Sequence, residues 1–129
     1  MNLPEDLKYT KHHEWMRVEG NLAIIGITDY AQEKLTDIVF ADLPEPGGHY
    51  DAGAEVCSVE SVKAVAYNHT PIAGTLAEVN ELLKTEPEKL NQDPYGDAWL
   101  FKIKPDEPQQ LAEILTAEQY KDFVGSLGE

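Results

Sequence analysis

The chain has 129 residues, with 10 Lys+Arg against 24 Asp+Glu and a formal net charge of −14. The length fits one domain with a core of its own. The acidic balance excludes partners bound through phosphate, nucleic acid and anionic membrane surfaces alike. A lone cysteine, Cys57, leaves no internal disulfide and no all-cysteine metal site, while an apolar fraction of 42% lies far above that of a disordered chain.

The first eight residues read as a polar lead-in without the pattern of a signal or transit peptide, and no apolar run reaches the ~20 residues of a membrane span. The expectation is a soluble, cytoplasmic protein. Residues 13–18 and 22–27 are β-type runs joined by Glu19-Gly20-Asn21, a hairpin loop. Asp29 as N-cap, with Gln32 three positions later, predicts a short helix ending near Thr36. A strand over 38–43 then runs into the turn Pro44-Glu45-Pro46-Gly47-Gly48. Residues 54–67 are strand-like throughout, too long for one ordinary strand. No Gly, Pro or Asn in them marks a fold-back.

Pro71-Ile72-Ala73-Gly74 is a turn before a strand over 75–79. Thr85-Glu86-Pro87-Glu88 reads as a capping box that opens a short helix. After the turn Asp93-Pro94-Tyr95-Gly96 comes the last strand, 98–103. Leu111, Ile114 and Leu115 suggest a helical turn, and Thr116 with Gln119 caps a final helix that Gly125 ends. About seven short strands joined by turns predict an antiparallel β-sandwich or partly closed barrel. Its expected core is Trp15, Ile25, Ile27, Val39, Phe40, Val56, Val59, Leu76, Val79, Trp99 and Phe101. Nothing divides the chain, so residues 1–129 are expected to form one domain, with a core over about 7–104 and a helical tail over about 110–125.

Few constellations carry chemistry. Cys57 has Glu55 and Glu60 nearby and no Lys, Arg or His within five residues, the opposite of what a reactive thiolate needs. His12-His13-Glu14 places ligand types side by side, but neighbours on a strand face opposite ways. His49 and His69 stand apart in sequence, so no metal site is expected. Gly47-Gly48 precedes no helix and is a turn, not a phosphate loop. Lys63 stands out. It is the only Lys or Arg between Lys34 and Lys84, an interval that holds the acidic residues Asp37, Asp42, Glu45, Asp51, Glu55, Glu60, Glu78 and Glu81. Composition leaves two readings: a surface lysine answering Glu60, or a lysine held out for covalent attachment.

The segment Glu60-Ser61-Val62-Lys63-Ala64 resembles the lipoyl-attachment motif, with Gly53 ten residues before the lysine and Gly74 eleven after it. Biotin carriers place Met on each side of the lysine, where this chain has Val62 and Ala64. His13-Glu14-Trp15, the run 26–32, Asp37-Ile38-Val39-Phe40, Leu43-Pro44, Glu78-Val79-Asn80, the run 91–96 and Trp99-Leu100 stand in the order seen in H proteins of the glycine cleavage system. The resemblance covers roughly residues 7–124. The chain departs from the usual pattern at His12, at Thr36, and at Ala66-Tyr67, where the family usually carries Ser-Asp.

The resemblance implies an all-β barrel-sandwich hybrid of two antiparallel sheets with short helices and a C-terminal helix, Lys63 standing at an exposed hairpin turn. It implies lipoic acid in amide linkage to Lys63, with Glu60, Ser61, Val62 and Ala64 forming the attachment motif. The implied role is a monomeric carrier, not an enzyme. It shuttles an aminomethyl group from glycine decarboxylase to an aminomethyltransferase, is reoxidised by dihydrolipoyl dehydrogenase, and is loaded by a lipoyl-attaching ligase or an octanoyl/lipoyl transferase. A rival role is an H-like carrier that relays lipoate to other complexes. The cargo's terminal amine calls for a carboxylate. By its place in the His-Glu-Trp motif, Glu14 is the candidate contact to the loaded arm, or else an edge-strand residue facing solvent.

Overall fold

The computed structural model describes residues 2–107 and 114–127. Nine strands in these residues form two antiparallel sheets. The larger contains β1 (Lys8–Tyr9), β2 (Glu14–Glu19), β3 (Leu22–Ile27), β9 (Phe101–Pro105), β8 (Gly74–Val79) and β5 (His49–Tyr50), in that spatial order. The smaller contains β4 (Ile38–Asp42), β6 (Glu55–Ser61) and β7 (Val65–His69), with β6 central. This is the expected barrel-sandwich hybrid. The β2–β3 hairpin turns at Gly20-Asn21, with Gly20 at φ 61°, and the strand expected over 22–27 has those bounds.

The main core lies between the sheets and includes Ile25, Ile27, Val59, Leu76, Leu100, Phe101 and Ile103. Val39 and Phe40, expected in it, are instead 50% and 53% exposed. The reason is a register shift in the β4–β6 pairing between Ile38 and Phe40, an irregularity of the bulge kind. An extra residue breaks the two-residue alternation, so Ile38 and Ala41 point inward while the two residues between them do not. Similar shifts between Glu55 and Cys57 and between Leu76 and Glu78 bury the adjacent pair Val56 and Cys57, and the pair Leu76 and Val79 three apart. Trp99, also expected inside, is half-buried under the Lys102 ammonium, 4.7 Å from its ring. Trp15 is the fully buried tryptophan. Its Nε1 donates to the Pro94 carbonyl at 2.9 Å, and a Cβ on Gly26 would sit 2.6 Å from its ring, so only glycine fits there.

Helix α1 (Asp29–Leu35) starts one residue earlier than expected: Thr28 is the N-cap, its hydroxyl accepting from the Ala31 N–H, while Asp29 begins the helix. Thr85 opens no capping box, because it is the last residue of α2 (Leu82–Thr85), and α3 (Lys89–Gln92) follows Glu88. The last strand starts at Phe101, not 98. Helix α4 (Ala117–Ser126) carries the expected capping box of Thr116 and Gln119 but passes through Gly125 to Ser126. It packs Tyr120 on Tyr9 with ring centroids 5.0 Å apart. Leu111 of the expected helical turn lies outside the described residues, and Leu115 pairs with Tyr9 in an isolated bridge instead.

Candidate functional site

The break hidden in residues 54–67 falls at Ser61–Ala64, the loop between β6 and β7. Ser61 is buried and builds it. The Ser61 N–H donates to the Ala64 carbonyl at 2.8 Å, and the Ser61 hydroxyl accepts from the N–H groups of Lys63 and Ala64 at 3.2 and 3.1 Å. A serine hydroxyl thus supplies the turn bonds that a Gly or Asn signal would otherwise announce. The Val62 N–H donates to the Asp37 carbonyl at 3.0 Å and ties the loop to the segment before β4. Val62, Lys63 and Ala64 are all exposed. Among the described residues no carboxylate pairs with the Lys63 ammonium, Glu60 included. The reading of Lys63 as a lysine answering Glu60 has no ion pair behind it.

At its far end β7 reaches His69 and a cleft of about 540 Å³ whose walls include Tyr9, Thr10, His12, Gly53, Thr70 and Leu115. Gly53 adopts φ 86°, and its N–H donates to the Thr70 carbonyl at 2.7 Å. Its flanking partner Gly74 is not a turn residue but opens β8. Glu14 faces the cleft and is only 1% exposed, which overturns its reading as a solvated edge-strand residue. Its Oε2 accepts from the His69 N–H at 2.6 Å and lies 3.3 Å from His69 Nδ1, and its Oε1 accepts from the Thr10 hydroxyl at 3.0 Å. Burial pushes the Glu14 carboxyl up to about 7, although these donors and His12 pull the other way. The His69 imidazole pairs with this carboxylate as an ion only when the ring is protonated, so a nearby cation favours the ionised form.

Sequence spacing separated residues that the fold brings together. His69, distant from His12 and Glu14 in the chain, lies 4.3 Å from the His12 ring between centroids and bonds Glu14. His13 turns away at φ 67°, its Nδ1 2.8 Å from the Tyr120 hydroxyl. No group of three or more His, Cys, Asp or Glu among the described residues is placed to hold a metal ion. Burial pushes the Cys57 thiol up, with Glu14 and Asp42 adding to the shift, which keeps it an inert thiol. Tyr67, at the place of the usual Asp, lies across from Ser58 and is exposed on the outer side of the small sheet, while Ala66 lies across from Val59.

Other motif residues serve the scaffold. Asn91 accepts from the Ile38 N–H at 2.9 Å and donates to the Thr36 carbonyl at 2.7 Å, clamping the α1–β4 connection. Asn80 donates to the carbonyls of Asp97 and Trp99 at 2.7 and 2.8 Å.

Residues 7–126 match the family model described as glycine cleavage H-protein. The chain is 51% identical over 124 residues to the glycine cleavage system H protein of Geobacillus kaustophilus, covering 96% of this chain and 98% of that one. It is 49% identical to the Bacteroides thetaiotaomicron protein of the same name, with the same coverage. The crystal structure of a glycine cleavage system H protein from Mycobacterium marinum superposes with a TM-score of 0.86 at 36% identity, over 95% of this chain and 98% of that one.

Proposed function

Because the chain belongs to the glycine cleavage H-protein family, we propose that it is a cytoplasmic, lipoyl-bearing shuttle of the glycine cleavage system. In this reading one carrier domain spans 1–129. It takes an aminomethyl cargo from glycine decarboxylase, delivers it to the aminomethyltransferase and is reoxidised by dihydrolipoyl dehydrogenase. A lipoyl-attaching ligase or transferase loads it. It works as a carrier and as a substrate of these enzymes.

The observation that carries the reading is the Lys63 ammonium, without an ion-pair partner among the described residues, at the tip of a pinned hairpin, joined by one short strand to a cleft floored by a buried carboxylate. Both ends fit a lipoyl group: an accessible amine for the amide bond, and a cleft with apolar walls at Tyr9, Ile114 and Leu115. When bound, that group supplies a redox-active dithiol able to carry an amine-bearing one-carbon unit. The protein's own residues do the rest. Ser61 presents the amine. Tyr9 and Leu115 give the cleft an apolar wall. Glu14 stands ready to hold an ammonium through a charge-assisted bond, and tethering keeps the cargo at high local concentration near each docking partner.

The test is intact mass before and after incubation with a lipoate ligase, lipoate and ATP. One lipoyl increment, lost on Lys63→Arg, is expected. An increment that survives this substitution overturns the assignment of the site.

A further inference from the structure

We propose that the outer face of the three-stranded sheet is a docking surface for the enzyme that acylates Lys63, an inference that rests on the lipoyl reading of that lysine. Opposed residues of paired strands share a face. The pairings Phe40–Glu60–Val65 and Asp42–Ser58–Tyr67 therefore lay two rows across the outside of β4, β6 and β7. Phe40, Val65 and Tyr67 are exposed there, with Val62 and the irregular Val39 beside them. These five account for most of the large apolar side chains exposed among the described residues. The core does not need them, because Ile38, Ala41, Val59 and Ala66 fill the inner side. Apolar residues clustered in this way, unlike scattered ones, mark an interaction site.

Charge identifies the partner. None of the three strands carries a Lys or Arg, whereas Asp42, Glu55 and Glu60 lie on them and Asp37 lies under the hairpin. A hollow of about 260 Å³ between Asp42, Glu55 and Tyr67 suits an incoming basic side chain. The partner thus offers an apolar strip with a basic rim. Continuity says which partner it is. The same β6–β7 hairpin forms the face and carries Lys63, and the Ser61 and Asp37 bonds hold tip and face together. An enzyme bound to the face therefore has the amine at a set position. Enzymes that act on the far end of a long arm have no such need. In the acylation itself, neutral Nζ attacks the carbonyl of an acyl adenylate. The N–C bond forms, the C–O bond to AMP breaks, AMP leaves with the electron pair, and the amine proton passes to solvent.

The experiment measures acylation kcat/KM by intact mass with a lipoate-adenylating ligase, lipoate and ATP. Phe40→Lys and Tyr67→Lys should each fall about tenfold or more, as expected for a central aromatic contact. Thermal midpoints should be unchanged, as should the rate for Val18→Lys, an exposed position in the other sheet. Glu60→Lys should flatten the fall of kcat/KM with salt. Phe40→Ser and Tyr67→Ser repeat the test without added charge should the lysine variants fold poorly. After exhaustive acylation, the variants should exchange electrons with dihydrolipoyl dehydrogenase at the wild-type rate. Wild-type acylation rates in the folded variants overturn the surface alone, and an equal loss in the dehydrogenase step overturns its assignment to the acylating enzyme. A wild-type protein that gains no lipoyl increment removes the reading beneath both.

Discussion

Glu14→Gln separates the role of the buried carboxylate from that of the lysine. Gln keeps the volume and an acceptor for the His69 N–H, but it cannot pair with an ammonium. Attachment at Lys63 should be unchanged, because the ligase meets the hairpin and not β2. Reoxidation of the dithiol should be unchanged too, because the reduced arm carries no amine. Only the aminomethyl-loaded form should suffer. At 1% exposure, Glu14 belongs among hydrogen bonds to sheltered charged groups, worth about 1.5–3 kcal/mol, rather than among exposed ion pairs. That is a shift of roughly 10- to 150-fold in the docked population, at about 1.4 kcal/mol per decade. The pH dependence gives a second signature. With the carboxyl pushed up to about 7, docking must first ionise it below that pH, so the wild-type advantage should fall about fivefold from pH 7 to pH 6. The variant should show no such fall. The assay loads both proteins with the aminomethyl group, removes the decarboxylase and times the release of formaldehyde and ammonia between pH 6 and 8. Equal lifetimes, or a wild-type advantage that ignores pH, would remove Glu14 from the contact with the loaded arm.

Lys63→Arg should keep the fold and the thermal midpoint yet gain no lipoyl mass, since a guanidinium does not form the amide. Ser61→Ala leaves the Lys63 and Ala64 N–H groups without their acceptor and should cost about 1 kcal/mol in denaturant unfolding; it should also slow ligase acylation by loosening the tip. Trp15→Ala should cost about 3–5 kcal/mol, and Trp99→Ala clearly less, because only Trp15 is fully buried with its indole N–H bonded. For stability against pH, the Glu14 carboxyl lies above its ordinary 4.5. The unfolded chain therefore ionises first as pH rises, and the wild type should lose on the order of 3 kcal/mol relative to Glu14→Gln between about pH 4.5 and 7, with no further change above that. Parallel urea titrations of the two proteins at pH 4, 5.5 and 7.5 check both the sign and the window.

Apolar runs mark the strands whose pairing is regular. Residues 22–27 pair in regular register with β2 and β9 and are buried on both faces, so the continuous run Leu22-Ala23-Ile24-Ile25-Gly26-Ile27 carries its own bounds. The pattern failed where a residue was inserted. Each register shift lets two neighbours, or two residues three apart, share a face, and in sequence such a pair looks like any other apolar pair. Val39 and Phe40 look like core residues for this reason. Only the Glu60 and Ser61 partners across from β4, far along the chain, settle which way they point. Thr85 shows the same limit for helices: its spacing to Glu88 fits a capping box, but α2, anchored by buried Leu83, had already taken it as a last residue.

The candidate site was legible in proportion to how local its geometry is. Lys63 could be picked out from composition and motif, because what marks it is the absence of neighbouring cations. The fold-back around it could have been found from Ser61, a residue whose hydroxyl can serve both N–H groups of the turn. Glu14 could not be resolved from its surroundings in sequence, because its burial depends on residues brought from elsewhere in the chain. β7 carries the His69 N–H to it, the loop before β2 carries Thr10, and the Tyr9–Leu115 bridge closes the wall beside them. The same packing denies Glu14 water and raises its carboxyl. A strand that serves as the second leg of the lysine hairpin at one end thus supplies, at the other, both a backbone donor and an imidazole to the buried acid.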